Sequence, residues 1–563
     1  MKNFLKINII IYYILLSINA LSQDKYLSPM QDFQRITSNF GDIRSSSFHF
    51  GIDYSTDGKK GIPVRAIKKG YLARIKVEPG GYGRVLYINH YDSTTSVYAH
   101  LDSFISKITE YVINEQYKRK SYKVDLIIDD KKFFFNEGDI IGFSGNSGQS
   151  SGPHLHFELR KTKTQNPINA FIPLINIKDE ICPHLNKIYF YNSIKYIDGK
   201  NDFCFNILNT KNNSKNNLII NVPNNFCIGV EAYDYISDTS RKLGIYSVQL
   251  LLDDSLIFEY TCDELNFEQM KNSKGIIDYL NRNINNSTIL YLFRLPNVEL
   301  IPIKTAKNNG IITINDSLIH KMKIILSDVS GNTKNFRFQV KNNYNKKVQE
   351  KVIDCPNIIS WNKENVLVKE GIKIIFSKNS LFNDICIDNP VINNINSLKV
   401  INIGNENIPL KNNIQICFPD SIIKEKYISK SLIVRLENNK KISCGGEIKD
   451  KYIIGKSMVF GSFTIAIDTT SPTLIPINFV KEEEIANINE IIIKIKDDLS
   501  GINEYNGYID DNWVLFEYDE KSNLIKYTFD YKRFKANNEY HILSIEVSDK
   551  KGNLTVKKYK FIK

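Results

Sequence analysis

Between residues 23 and 175 the apolar positions fall into short alternating runs, broken every few residues by Gly, Asn or Asp. Val85-Leu86-Tyr87-Ile88, Ser96-Val97-Tyr98-Ala99 and Leu155-His156-Phe157-Glu158-Leu159 have the length, and the β-branched or aromatic content, of half-buried strands. Glycines punctuate them heavily, at Gly80, Gly81 and Gly83 and again at Gly138, Gly142, Gly145, Gly148 and Gly152. A polar stretch rich in Tyr and Lys, residues 103–135, separates two of these strands and reads as an extended loop over a sheet. The pattern predicts an all-β chain: a small antiparallel-sheet domain first, then several β-sandwich modules.

An internal repeat supports the sandwiches. Ser327-Asp328-Val329-Ser330-Gly331-Asn332 recurs as Ser548-Asp549-Lys550-Lys551-Gly552-Asn553, each followed by a strand-like tail. Upstream, Gly244-Ile245 leads to Asp253-Asp254 and Phe258-Glu259-Tyr260, as Gly501-Ile502 leads to Asp510-Asp511 and Phe516-Glu517-Tyr518. Matching landmarks in matching order predict two copies of one immunoglobulin-like fold, the first with an insertion around Cys262 to Asn308. The expected organisation is therefore residues 1–22, 23–175, 176–345, 346–467 and 468–563, with a strand-rich region of unnamed type between the copies.

The first 22 residues have a different character. Lys2 and Lys6 precede the apolar run Ile9 to Leu16, and small residues follow at Ser17, Ala20 and Ser22. Basic, apolar, small is the order of a secretory signal peptide, and the apolar run is too short to span a membrane comfortably. An exported chain beginning near Gln23 is expected, in the periplasm, cell envelope or outside the cell, with no transmembrane segment in the mature part. Eight cysteines, four between Cys182 and Cys262 and four between Cys355 and Cys444, permit disulfides in such a compartment; buried free thiols fit equally. No CxxC pair supports a thiolate zinc site. The net charge of +12 over 563 residues is modest, and no Lys/Arg tract with interleaved aromatics points to nucleic acid.

Five of the eight histidines lie between residues 49 and 156. Residues two apart on a strand face one side, so His154 and His156 project together while Leu155 and Phe157 pack behind. His49 and Asp53 share a face if their segment is extended. Two imidazoles and a carboxylate suit a catalytic Zn²⁺ with a position left open, and two further histidines suit base and oxyanion chemistry. Spacing alone leaves a structural role for each of them open. Glu158 follows on the histidines' face as a partner or as a solvated carboxylate. His90, His184, His320 and His541 read as ordinary structural residues, and the paired Asp of each repeat copy reads as turn-forming.

The three histidine contexts together are more specific. His49-x-x-x-Asp53, Tyr98-Ala99-His100-Leu101 and His154-Leu155-His156-Phe157-Glu158 resemble the motifs of the lysostaphin/LytM-type zinc endopeptidases. The flanks Gly61-Ile62-Pro63-Val64-Arg65-Ala66 and Gly138-Asp139-x-Ile141-Gly142-x-Ser144-Gly145 agree as well. The resemblance covers roughly residues 30 to 175. It implies His49, Asp53 and His156 as zinc ligands, His154 as general base, and His100 as an assistant that orients the water or stabilises the oxyanion. It also implies peptidoglycan as substrate, with the sandwiches holding the enzyme near the wall or an envelope partner. The long insert after Tyr-Ala-His-Leu departs from the family pattern and bears on groove shape. The rival readings are a catalytically silent wall-binding or hydrolase-activating protein, a peptidase for ordinary proteins, and an adhesin or scaffold.

Overall fold

A computed structural model describes residues 26–31, 35–44, 47–129, 132–172, 179–191, 219–236, 241–342, 355–395, 398–480, 485, 487–535 and 539–563. The expected signal peptide and the position of Cys204 lie outside these residues.

The histidine-rich region is built on one antiparallel sheet. Its main strands are β1 (Ile36–Ser38), β2 (Ile52–Ser55), β3 (Gly70–Val77), β4 (Arg84–His90), β5 (Thr94–Ala99), β6 (Val124–Ile127) and β7 (His154–Lys161). They lie in the order β1-β2-β7-β5-β4-β3-β6, so the two motif strands β2 and β7 are neighbours and β5 flanks β7 on its other side. Alternation decides the faces. Leu155, Phe157, Tyr54 and Tyr98 are sealed beneath the sheet, with Phe157 packed against both tyrosines. Burying each such ring or branched chain is worth roughly 1.5–3 kcal/mol. The intervening His154, His156 and Glu158 are thereby turned to the other face.

Residues 103–135 are not an extended loop. They form the helix α1 (Ser106–Arg119), followed by β6 and a short strand at Phe134–Phe135 that pairs with β3. Ile108, Val112 and Gln116, four apart, are the buried face of the helix. This 3.6-residue period is diluted by polar residues at most of the other positions, Lys107, Thr109, Glu110, Asn114, Glu115, Lys118 and Arg119 among them, which is why the stretch reads as polar.

The rest of the described chain is stacked sheets. The first repeat copy has one sheet around Asn225–Tyr233 and a second holding Ser247–Leu252, Ser255–Thr261, Ile319–Ser327 and Thr333–Asn342. Its insertion carries a 3-10 helix at Phe267–Gly275 and a short α-helix at Tyr279–Asn285. Pairing is antiparallel throughout this copy apart from Ile219–Val222, which runs parallel to the strand ending at Asn342. Residues 357–467 form two five-stranded sheets and a two-stranded ribbon over one core, and Cys355 is disulfide-bonded to Cys386. Cys182, Cys227, Cys262, Cys417 and Cys444 are free thiols. The last copy has two four-stranded sheets over its own core.

The repeat is closer than the sequence landmarks show. In each copy an Asp-Asp pair adopts positive φ at the hairpin turn, the conformation that such two-residue turns require. The first Asp of each pair then reaches a histidine: Asp253 to His320 Nδ1 and Asp510 to His541 Nδ1, both at 2.6 Å. His320 and His541 are therefore not isolated residues; they are equivalent partners of equivalent turns.

The two copies dock at different places on the peptidase-like domain. Phe40, Phe48 and Phe50 belong to the apolar core of the first copy, and Gly41 lies so close to Cys262 that a Cβ there would sit 2.4 Å from its sulfur. The last copy meets α1 and the turns beside β4. Trp513 packs edge-on to Tyr117 at 5.4 Å, Arg84 pairs with Glu517 at 2.6 Å, and Lys521 donates to the carbonyl of Asn146.

Candidate metal centre

Gly51 sets up the site. A Cβ at this position would lie 2.2 Å from the Phe157 carbonyl, so only glycine lets the His49–Asp53 segment run tight against β7. The register then pairs His156 with Asp53 and, across the other edge, with Ala99, one residue before His100.

Three donor atoms converge. His49 Nε2 is 3.0 Å from Asp53 Oδ1 and 2.9 Å from His156 Nδ1, and His156 Nδ1 is 2.9 Å from Asp53 Oδ1. A tetrahedral cation with bonds of about 2.0–2.1 Å places its ligands about 3.3–3.4 Å apart, so these residues fit an ion after movements of a few tenths of an ångström. The far side of each ligand is engaged. His49 Nδ1 donates to the carbonyl of Asn39 at 2.7 Å, and His156 Nε2 donates to Glu158 Oε1 at 2.9 Å. Those bonds direct one N–H of each ring outward, so a cation at the common point would meet His49 Nε2 and, in exchange for a proton, His156 Nδ1. His49, Asp53 and His156 are all buried.

The surrounding charges suit a cation. Burial would raise the Asp53 carboxyl, but His49 and His156 hold it well below the usual carboxylate range. Glu158 is fully buried, and Arg160, His156 and Tyr82 outweigh that burial and bring it down to about 2. Arg160 bonds Glu158 Oε2 at 2.7 Å, while the hydroxyl of Tyr82 donates to Oε1 and its ring stacks on His156 at 5.4 Å. Against the downward effect of burial, Asp53 and Glu158 lift His156 to about 9. The pocket thus stabilises positive charge at the place where the three donor atoms meet.

His100 and His154 face each other beside this point, with ring centroids 4.9 Å apart. His154 Nε2 lies 3.5 Å from Asp53 Oδ1, and its Nδ1 donates to the carbonyl of Gly152 at 2.8 Å. His100 sits at φ 60°, an uncommon conformation for a non-glycine residue, and is held there by N–H···O to Tyr82 at 3.0 Å and Nδ1–H···O to Ser147 at 2.9 Å. Burial lowers both imidazoles, His100 to about 3, helped by the charges of His156 and His154. Both stay neutral at physiological pH with Nε2 as a free lone pair.

All five residues singled out in the sequence come together, and His90 does not join them. It is buried at the far end of β4, bonded to the carbonyl of Lys69 and to Ser96. The supporting residues had no motif to announce them. Arg44 holds Asp53 Oδ2 at 2.8 Å. Asp42 accepts from Ser38 Oγ at 2.7 Å and from the Asn39 N–H at 3.0 Å, fixing the two residues that touch His49. Asp42 is itself held by the Gly244 N–H of the first repeat copy, at 2.6 Å. Arg160 is covered by Phe267 of the same copy, 4.6 Å from the ring centre.

A buried His-Asp-His cluster on an antiparallel sheet, with two free imidazoles beside it, is the class of site found in metallopeptidases. Comparison with known proteins agrees. Residues 47–117 match the model of peptidase family M23, and residues 356–468 match that of a Zu5-like domain. The first part of this chain is an M23-family peptidase domain. The DD-carboxypeptidase/endopeptidase Mpg of Neisseria meningitidis serogroup B is 32% identical over 147 residues, covering 25% of this chain and 28% of that protein. An uncharacterized metalloprotease of Haemophilus influenzae is 28% identical over 152 residues, 26% of this chain and 27% of that protein. The catalytic domain of lysostaphin from Staphylococcus simulans is 24% identical, covers 23% of this chain and 80% of that one, and gives a TM-score of 0.16. The chain thus spans under a third of the length of these two curated relatives. The Zu5-like match gives a type to the strand-rich region between the repeat copies.

Proposed function

We propose that the chain is an exported zinc endopeptidase that hydrolyses amide bonds in the stem peptides or cross-bridges of peptidoglycan. One observation carries the reading: His49 Nε2, Asp53 Oδ1 and His156 Nδ1 meet at one point, with the Nε2 lone pairs of His154 and His100 beside it. Zinc suits this nitrogen and oxygen set, and when bound it would polarise a scissile carbonyl and acidify a water.

The chain's own residues do the rest. His154 has the most exposed side chain of the three residues that contact Asp53 Oδ1, and its Nδ1–H is given to Gly152. Its Nε2 therefore takes the proton of the attacking water and returns it to the leaving amine. His100 gives its Nδ1–H to Ser147 and stays neutral, so its Nε2 accepts a hydrogen bond. Orienting the water follows from that tautomer better than donating to an oxyanion does. Glu158, Tyr82 and Arg160 hold His156 in register.

Export rests on the basic, apolar, small order of residues 2–22. The wall as substrate rests on the similarity to a DD-carboxypeptidase/endopeptidase. In this reading the two repeat copies are immunoglobulin-like modules that keep the enzyme at the wall or at an envelope partner.

The test is to incubate the zinc-loaded full-length protein with isolated peptidoglycan and to analyse the products by mass spectrometry. New peptide ends are expected, absent with a chelator and reduced ~10²–10⁴-fold in His154→Ala at unchanged zinc content. An intact wall beside a fully zinc-loaded protein would overturn the reading in favour of a binding or activating module. Cleavage of unfolded protein in preference to wall would assign a general peptidase.

A further inference from the structure

The two repeat copies share a second constellation. In the first, Asp179 stands where the chain enters the sandwich, Asp234 just after the strand Asn225–Tyr233, and Asp328 just after Ile319–Ser327. In the second, Asp468 stands at the entrance, Asp497 after Glu490–Lys496, and Asp549 at the end of Tyr540–Asp549. Within each trio one oxygen per carboxylate lies within 4.8 Å of the others. An asparagine ties both trios in the same way. Asn332 Nδ2 donates to Asp328 Oδ2 at 2.8 Å and to the carbonyl of Asp179 at 3.1 Å. Asn553 Nδ2 donates to Asp549 Oδ2 at 2.6 Å and to the carbonyl of Asp468 at 3.0 Å.

The first trio also holds a buried oxygen that no protein group satisfies, and a buried serine hydroxyl without a partner lies next to the second. Asp234 is 5% exposed and its Oδ1 has no hydrogen-bond partner. Ser500 is 4% exposed; its N–H bonds Asp468 Oδ2 at 3.0 Å, but its Oγ has no partner. A buried acceptor left in this state is costly unless something outside the chain completes it. After burial itself, Asp328 and Asp179 are the charges that push the Asp234 carboxyl up to about 7, and both are negative.

We propose that each trio binds a hard divalent cation, calcium in class, which ties the linker entering each repeat copy to the sandwich it enters. The donors named are all oxygen, as calcium prefers, and no imidazole or thiolate belongs to either trio. Oxygens around a calcium ion with bonds of about 2.4 Å lie at most about 4.8 Å apart, so three oxygens within that distance of one another can share one ion. Water would complete a coordination number of about 6–8. Magnesium, which demands a tighter octahedron, fits a site with three fixed oxygens less well. The first site is the stronger. At the second, Lys551 feels the charges of Asp468 and Asp549 and compensates part of them.

The consequence is mechanical. Asp179 follows the peptidase domain and Asp468 follows the Zu5-like region, so the two ions would fix the orientation of the modules at both joints.

The experiment uses the zinc-loaded full chain freed of calcium, titrated with calcium chloride and, separately, magnesium chloride, by calorimetry and by thermal unfolding. Two calcium ions per chain are expected, with dissociation constants of about 0.1–1 mM or tighter, together with a rise in melting temperature that magnesium does not reproduce. Asp234→Asn and Asp497→Asn should each remove one ion. Without calcium, Asp234→Asn should melt above the parent chain because the substitution relieves repulsion, so loss of binding is separable from misfolding. No uptake at several millimolar calcium, or uptake unchanged by both substitutions, would overturn the proposal. One ion, removed by only one of the substitutions, would sustain that site and overturn the other.

Discussion

The two repeat copies share one fold yet meet the peptidase domain in unlike ways. The first copy merges its core with that domain: Phe40, Phe48 and Phe50 are buried among its strands, and the Gly244–Asp42–Ser38 chain of hydrogen bonds ends on His49. The last copy touches α1 and the turns around Gly80 and Asn146 through an aromatic contact, an ion pair and a lysine–carbonyl bond, and packs only the partly buried Tyr505, Leu515 and Tyr518 against the peptidase core. Those turns carry Tyr82 and Ser147, whose carbonyls hold His100. One copy therefore backs the three converging donors His49, Asp53 and His156, and the other borders His100. Apolar burial with a shared hydrogen-bond chain fixes geometry; exposed ion pairs do so only weakly.

The sharpest way to break the comparison is Phe48→Ala. It removes a ring that is 2% exposed in the shared core, and a loss of about 3–5 kcal/mol is expected in chemical denaturation, with reduced metal content. A fragment ending at residue 175 should fail more completely, since it leaves all three phenylalanines uncovered. If that fragment folds with full metal content, the first copy is not a support.

Glu158→Gln keeps the shape and removes the charge behind His156. Metal affinity should fall roughly 10–100-fold, read by competition with a chromogenic chelator, while the melting curve of the last copy stays in place.

A pH series sharpens the contrast between the copies. The Asp234 carboxyl is raised in the fold to about 7, against about 3.9 in an unfolded chain. The folded state holds the extra proton between those values, so calcium-free stability is full at low pH and declines as pH rises from about 4 to 7. The slope is at most about 1.4 kcal/mol per pH unit, and it should vanish in Asp234→Asn.

The smallest effect is expected at the last copy. Glu517→Ala breaks an ion pair with Arg84 whose partners are 47% and 20% exposed, a change of about 1 kcal/mol or less. Metal content should be unchanged, while the ratio of rates on long and short wall peptides shifts. A fall in metal content would mean that both copies support the ligands.

Much of this was legible in the sequence because the signals are local. The even spacing of His154 and His156 on a strand dictates a shared face, and β7 delivers it. The repeat landmarks, the Asp-Asp turns and the four histidines that gather with Asp53 were likewise legible. The helix in residues 103–135 was not, because its buried stripe is only Ile108, Val112 and Gln116 among charged residues. The pairing of His320 and His541 with the turn aspartates was also hidden, since each partner lies at least 31 residues away.

By itself, then, the sequence determined the strand-rich architecture, the order of the motifs and the donor atoms available for a metal, since residue type and period act within a few residues. Only the tertiary structure decided which atoms meet. Register brought Asp53 beside His156, Gly51 allowed that approach, and packing drew Asp42, Arg44, Tyr82, Arg160 and the first repeat copy in behind the ligands. Those partners are joined by distance in space alone, and a pattern along the chain carries no record of it.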